Sequence, residues 1–363
     1  MFSKLLKTGV RELEREATHS RGSGGGHSGH DGRGAHAGAG AGAGMGAGAA
    51  VGAGAASHGH HGVSNKAASG KVSKHTINVA GLPVHVYGLD ELTPARPGAA
   101  PEVCLVIHMH GRTGSAKKED ALVRKLYSLT QASRSQLPAR SRDVIFAVFD
   151  QRNHGERETN PLGQKTWKEG NGNHAIDMYA MYRGTASDTS FIMDFLPSYL
   201  FPNGERFISL VAVTGKSLGG HAAWQVLAHE PRIRVGVPFI GTPDYQKLIH
   251  MRAVKSNLQD TPPVVPPTLR ELFRNVDPAM MPYREPSPRN PFWGKKICAC
   301  CGADDQLVRF SYSEEFLANL IVAPPAEQRE SFEVFVQPGT GHTVTDEMLE
   351  VGARFLARWA LPY

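Results

Sequence analysis

The stretch Phe207-Ile208-Ser209-Leu210-Val211-Ala212-Val213-Thr214-Gly215-Lys216-Ser217-Leu218-Gly219-Gly220-His221 decides how the rest of the chain is read. Its first half is a continuous apolar run of strand length. Its second half is a glycine-rich turn leading into a helical pattern over His221–His229. Ser217 has glycine two residues before it and two after it. Small residues at those positions let a backbone reverse from strand to helix without side-chain clash. The serine hydroxyl is then held at the tip of the sheet, beside a helix N-terminus. Gly-x-Ser-x-Gly occurs once in the sequence. The alternative reading is a glycine-rich β–α turn with a helix-capping serine.

Outward from this turn, strands and helices alternate. Short β runs at His75–Val79 and Pro83–Tyr87 flank Ala80-Gly81-Leu82 and read as a hairpin. Strands follow at Val103–Met109, Val144–Phe149, Arg234–Ile240, Ile297–Cys301 and Phe332–Val336. Helical spacing covers about 117–132, 175–195, 312–320 and 345–359. Alternation of this kind implies crossover connections and a parallel sheet buried on both faces, an α/β class. Residues 241–295 are Pro-rich, interrupt the alternation and exceed an ordinary connection. They hold Met280, Met281, Tyr283, Phe292 and Trp293. A small cap over the site and a packed surface excursion are the two readings of this insertion.

The folded body is expected at 74–363. Residues 1–20 hold a short amphipathic helix pattern through Phe2, Leu5, Leu6, Val10 and Leu13. Glu12, Glu14 and Glu16 count against a mitochondrial transit peptide. Residues 21–73 form a Gly/Ala/His-rich tract whose composition predicts disorder. Six of the 17 histidines fall within 21–62, and weak metal binding is the reading such a tract allows. The formal charge of +6 sits mostly at this end. Residues 1–74 carry nine Lys/Arg against four Asp/Glu, whereas residues 75–363 carry 31 against 30. The body therefore shows no basic stripe for nucleic acid. No apolar run approaches the roughly 20 residues of a membrane span. No secretory signal is read at the start. With four cysteines, three of them crowded at Cys298, Cys300 and Cys301, a disulfide framework is excluded and a reducing, cytoplasmic setting is expected, with a mitochondrial one as the alternative. The clustered thiols read as small buried hydrophobes rather than zinc ligands.

An acyl-transfer serine needs a base, an orienting acid and an oxyanion hole. Gly302-Ala303-Asp304-Asp305 follows the strand at 297–301, and carboxylates there reach the rim that holds Ser217. Asp305 is the preferred acid, with Asp304 as the alternative. Gly341-His342 follows the last strand, and His342 is the expected base. The oxyanion donors are expected to be the backbone N–H of Leu218 and that of Arg112, or Thr113, in the loop His110-Gly111-Arg112-Thr113-Gly114. His108 and His110 share one strand face but lack a third ligand at sensible spacing, so no metal is expected. His110, His154 and Trp167 are the candidate pocket residues. Arg157 is a further candidate for substrate contact. His174, Tyr179 and Tyr182 either line a pocket or pack as core. Lys216 is expected to point to solvent.

His110-Gly111, the Gly215–Gly220 turn, the Gly302–Asp305 turn and Gly341-His342 resemble the α/β-hydrolase fold superfamily. The order Ser, Asp, His matches as well, and the resemblance covers about 75–363. Within it, Gly341-His342-Thr343-Val344-Thr345 with Met348 resembles the dienelactone-hydrolase and prolyl-oligopeptidase-like esterases. The resemblance implies an eight-stranded, mostly parallel sheet flanked by helices. It implies a triad of Ser217, Asp305 and His342 that hydrolyses a small-molecule acyl substrate through an acyl-enzyme, without metal or other cofactor. An acyltransferase, a peptidase or lactonase with the same triad, and a non-catalytic binding protein are the alternatives.

Overall fold

The computed structural model describes residues 72–95, 100–137 and 141–363. The helix expected at 1–20 and the low-complexity tract at 21–73 lie outside the described residues, apart from the last two positions of that tract. β1 (Lys74–Val79) and β2 (Leu82–Tyr87) form an antiparallel hairpin. Its two turn residues, Ala80 and Gly81, both have positive φ, at 49° and 87°. A turn of that hand matches the twist of the flanking strands. The Asn78 side chain secures it by accepting the Gly81 N–H at 2.7 Å.

The hairpin is one edge of a single eight-stranded sheet. Its other strands are β3 (Glu102–Met109), β4 (Asp143–Phe149), β5 (Phe207–Lys216), β6 (Ile233–Phe239), β7 (Lys296–Gly302) and β8 (Phe332–Gln337). The spatial order is β1-β2-β4-β3-β5-β6-β7-β8. β2 meets β4 antiparallel, and every pair from β4 onward is parallel. Every residue of β4 is buried, as parallel strands covered on both faces require.

Side-chain alternation sends each strand into two separate apolar layers. Leu105, Ile107 and Met109 of β3 pack on the side of α2 (His174–Leu200) and α3 (Leu218–His229). Cys104 and Val106 pack on the side of α1 (Asp120–Arg134) and α8 (Asp346–Ala360). α3 is buried from Leu218 to Ala228, which is why its sequence lacks a polar stripe. α8 is amphipathic instead, and the Thr345 hydroxyl caps it by accepting the Met348 N–H at 3.2 Å.

The long connection at 241–295 carries two helices that its prolines obscure in the sequence. These are α4 (Tyr245–Lys255) and α5 (Pro267–Val276). α5 starts on Pro267, where a proline's missing N–H costs nothing. After α6 (Glu314–Asn319), the same device begins α7 (Pro325–Ser331), a helix the apolar spacing does not reveal. All four cysteines are free and buried. Among the described residues, no helix is long and apolar enough to cross a membrane.

The turn around Ser217 is packed backbone on backbone. A Cβ on Gly219 would lie 1.9 Å from the Met109 carbonyl oxygen of β3. One on Gly215 would lie 2.2 Å from the Gly219 carbonyl oxygen, and one on Gly220 2.6 Å from that of Phe239. Gly341, by contrast, has nothing within 4 Å of such a carbon. Gly219→Ala is expected to destabilise the fold by about 3 kcal/mol, and Gly341→Ala by far less. Urea midpoints of the two variants check this, and equal midpoints would refute the packing argument.

Candidate active site

β5 ends at the centre of the sheet, and Ser217 stands immediately beyond it. Its backbone has φ 55° and ψ −109°, a strained conformation for a residue with a side chain. Two hydrogen bonds hold it there. Ser217 N–H donates to the Phe239 carbonyl at 3.0 Å, and His221 N–H donates to the Ser217 carbonyl at 2.9 Å. The strain points the hydroxyl outward, where its Oγ lies 2.8 Å from His342 Nε2. His342 Nδ1 lies 2.6 Å from Asp305 Oδ2. The three side chains therefore form one continuous hydrogen-bonded row.

Asp305 is buried on the loop after β7. Burial alone would raise its pKa. The hydrogen bond from His342 and the amides of Val308 and Leu307, each 2.8 Å from Oδ1, outweigh that and hold it below the ordinary carboxylate range. The alternative acid, Asp304, has its side chain in solvent. Its backbone N–H donates to the Thr340 carbonyl at 2.9 Å and so ties the acid loop to the histidine loop. A Cβ on Gly302 would sit 2.5 Å from the Thr340 and Gly341 carbonyl oxygens, so the two loops touch through backbone.

The loop after β3 closes the opposite side. Gly111 lies against Ser217, its hypothetical Cβ only 3.6 Å from the serine Cβ. Leu218 opens α3, so its N–H has no intrahelical acceptor. Arg112, Thr113, Ser217, Leu218 and His342 together line a cavity of about 400 Å³. Among the described residues, no cluster of three or more metal-ligating side chains occurs.

No family model matches the sequence, and no curated protein matches it. Solved structures do. TT1662 from Thermus thermophilus is similar at a TM-score of 0.55 with 23% identity, over 80% of this chain and 98% of that one. An acylaminoacyl peptidase is similar at a TM-score of 0.51 with 10% identity, over 81% of this chain but 43% of the peptidase. The fold is that of the α/β hydrolases. Acetyl xylan esterase 1 from Thermoanaerobacterium sp. JW/SL YS485 is a more distant likeness, at 0.49 with 15% identity over 81% of this chain and 86% of that one.

Within this α/β-hydrolase fold several residues stand elsewhere than the sequence suggests. His110 and His154 are fully buried and lie edge to face at 5.2 Å, and neither lines the cavity. His110 instead fixes the loop that carries Arg112. Its Nδ1 lies 2.8 Å from the Gly111 carbonyl, and its Nε2 accepts the Gln151 N–H at 3.0 Å. His154 Nδ1 lies 2.9 Å from the Arg152 carbonyl. Trp167 lines a second cavity of about 200 Å³, which shares Arg112, Arg252 and Leu307 with the first. Arg157 is occupied by Asp188 at 2.8 Å. Tyr179 and Tyr182 are core. Lys216 does not simply face solvent but pairs with the buried Glu119, whose other oxygen lies 3.7 Å from His108. Burial would raise the Glu119 pKa, yet His108 and Lys216 bring it down to about 2. Met280, Met281 and Tyr283 line a separate cavity with Phe316 and do not reach Ser217. The insertion's contribution to the serine cavity is Arg252 of α4, and Met178 of α2 joins it. No local sequence signal marks either residue, because both arrive through tertiary packing.

Burial pushes His110 down to about 4 and His221 down to about 3. His110 Nε2 accepts the Gln151 N–H, so protonation there breaks a buried bond, and His221 is buried with its Nδ1 2.9 Å from the Thr242 N and 3.1 Å from its carbonyl. In the unfolded chain these rings titrate near 6.5. Between about pH 6.5 and 4 the unfolded state therefore binds more protons, and stability rises with pH across that window. Urea midpoints are expected to fall on going from pH 7.5 to pH 5, with a shallower fall in His221→Gln. Identical midpoints at the two pH values in the unsubstituted protein would contradict this.

Proposed function

We propose that this chain is a serine hydrolase that cleaves a carboxylic ester, or a related acyl bond, through an acyl-enzyme intermediate. The observation that carries the reading is the row from Ser217 Oγ through His342 to Asp305, at 2.8 and 2.6 Å, on the wall of a cavity. Those are hydrogen-bond distances at which a nucleophile, a base and an orienting acid act together.

In this scheme His342 Nε2 takes the hydroxyl proton as Ser217 Oγ attacks the acyl carbonyl carbon. Asp305 holds Nδ1–H, which fixes the tautomer and stabilises the imidazolium. The developing oxyanion is met by the N–H of Leu218, at the start of α3, and by that of Arg112. The leaving alcohol takes the proton from His342. Water then attacks the acyl-enzyme, giving its proton to His342, and the acid departs as Ser217 is restored. Arg112 is placed by the buried His110, so that ring acts on the reaction through loop position rather than by touching substrate.

The reading is tested by labelling the full chain with a fluorophosphonate probe and counting adducts by intact mass. One adduct on the unsubstituted protein and none on Ser217→Ala is the expected outcome. Asp305→Asn should still fold and should lower kcat on an activated aryl ester by roughly 10⁴-fold, as loss of the orienting acid does elsewhere. A folded protein that takes up no probe would remove the hydrolase reading.

A further inference from the structure

The two cavities at the site are lined by cations, and among the described residues only Lys216 of them forms an ion pair with an acid. Arg112 and Arg252 border both. Lys216 borders the first, and Lys168 and Lys255 the second. No carboxylate side chain lines either cavity among the described residues. Lys216 already has its counter-charge in Glu119. Among the described residues neither arginine has an acid within ion-pair distance; Glu169 acts on Arg112, and Asp305 on Arg252, only from farther off. Arg112 spends one nitrogen on the Gln164 carbonyl at 2.6 Å. Arg252 reaches His174 Nε2 at 3.3 Å and the Met178 sulfur at 2.7 Å, both neutral. Its Nε is buried and has no hydrogen-bond partner among the described residues.

Two neighbouring guanidiniums, one with a buried Nε lacking a partner, are costly to hold together. A cation removed from water requires a compensating charge or a full set of acceptors. Burial lowers the Arg252 pKa to about 10, with the neighbouring Arg112 charge acting in the same direction, so the group stays ionised at neutral pH. An anion entering beside both guanidiniums would accept from the unpartnered Arg252 Nε–H and offset the repulsion between them. Guanidinium forks match carboxylate and phosphate oxygens in shape. The wall of the second cavity adds Trp167 and His174, their rings 5.0 Å apart, and the Lys255 stem.

We propose that the substrate ester ends in an anionic group, carboxylate or phosphate, that seats against Arg252 and Arg112 in the second cavity while its carbonyl lies at Ser217. The inference rests on the hydrolase reading above and deepens it, making α4 of the 241–295 insertion the selector of substrate charge. Because the second cavity adjoins the first, the substrate is elongated, and a matched chain length separates its two ends.

The test uses the full chain and three series of aryl esters. One series is the monoesters of linear dicarboxylic acids from succinate to suberate. The second is neutral alkanoates of equal length, and the third carries a terminal phosphate in place of the carboxylate. At the best length, kcat/KM is expected to be roughly 10- to 100-fold higher for an anionic ester than for its neutral match, the range of a charged hydrogen bond. The anion with the larger ratio identifies the source. Arg252→Met should bring the anionic-to-neutral ratio to near one, and Arg252→Lys should retain part of it. A ratio near one at every length in protein whose Ser217 takes up the fluorophosphonate would overturn the proposal. An equal loss on both series in Arg252→Met, with no recovery in Arg252→Lys, would also overturn it. Calorimetric titration of suberate and of inorganic phosphate separates this idea from the hydrolase reading. Binding that Arg252→Met abolishes keeps the anion site even where Ser217 is unreactive. Absence of binding to the unsubstituted protein in that case removes it.

Discussion

No side chain fits between the carbonyl of Met109 and the α-carbon of residue 219, and the site is built around that closeness. A hypothetical Cβ there would stand 1.9 Å from the oxygen. Helix α3 is consequently pressed, backbone to backbone, against the ends of β3 and β6. The Ser217 N–H bonds to Phe239, and Gly111 comes to rest beside the serine. The ends of β3, β5 and β6 are thereby held together through close backbone contacts. The strained dihedral of Ser217 is sustained by this packing, since a single residue would relax out of it alone.

The partners of the serine come from strands on the far side of β6, and they are joined in the same manner. Gly302 admits the backbone of Thr340 and Gly341, and the Asp304 amide bonds to Thr340. The acid and the histidine thus travel as one unit. Asp305 then receives two amides and an imidazole, which together overcome the cost of its burial. Ser217 and Asp305 are thus each held by backbone groups, Ser217 by Phe239 and His221 and Asp305 by Leu307 and Val308.

Much of this could be read directly from the residues, and what could not has a common cause. Apolar runs and their alternation set out the strands. The two glycines around Ser217 implied the tight turn, and chain order placed Asp305 and His342 on the same rim. Prolines misled at α5 and α7, because Pro267 and Pro325 start helices as readily as they stop them. His110 and His154 looked like pocket residues because polar groups after a strand usually reach the rim. Here the loop folds back and buries them. Lys216 and Glu119 are 97 positions apart, and nothing local joins them. Arg252 is one basic residue on an ordinary helix until Met178 and His174 are placed against it. Patterns with a period are visible in a single sequence, whereas contacts between distant segments are not.

The hydrogen bond between Ser217 and His342 spans 125 positions of chain. Closing so long a separation is entropically slow compared with forming the hairpin or α3. During synthesis the turn at Ser217 can therefore form well before His342 exists. An emerging chain that has reached α3 presents an ordinary alcohol. Its hydroxyl gains a proton acceptor only after β8 has docked on β7. On the proposed reading, the serine is in this way kept inert until the sheet that shelters it is nearly complete.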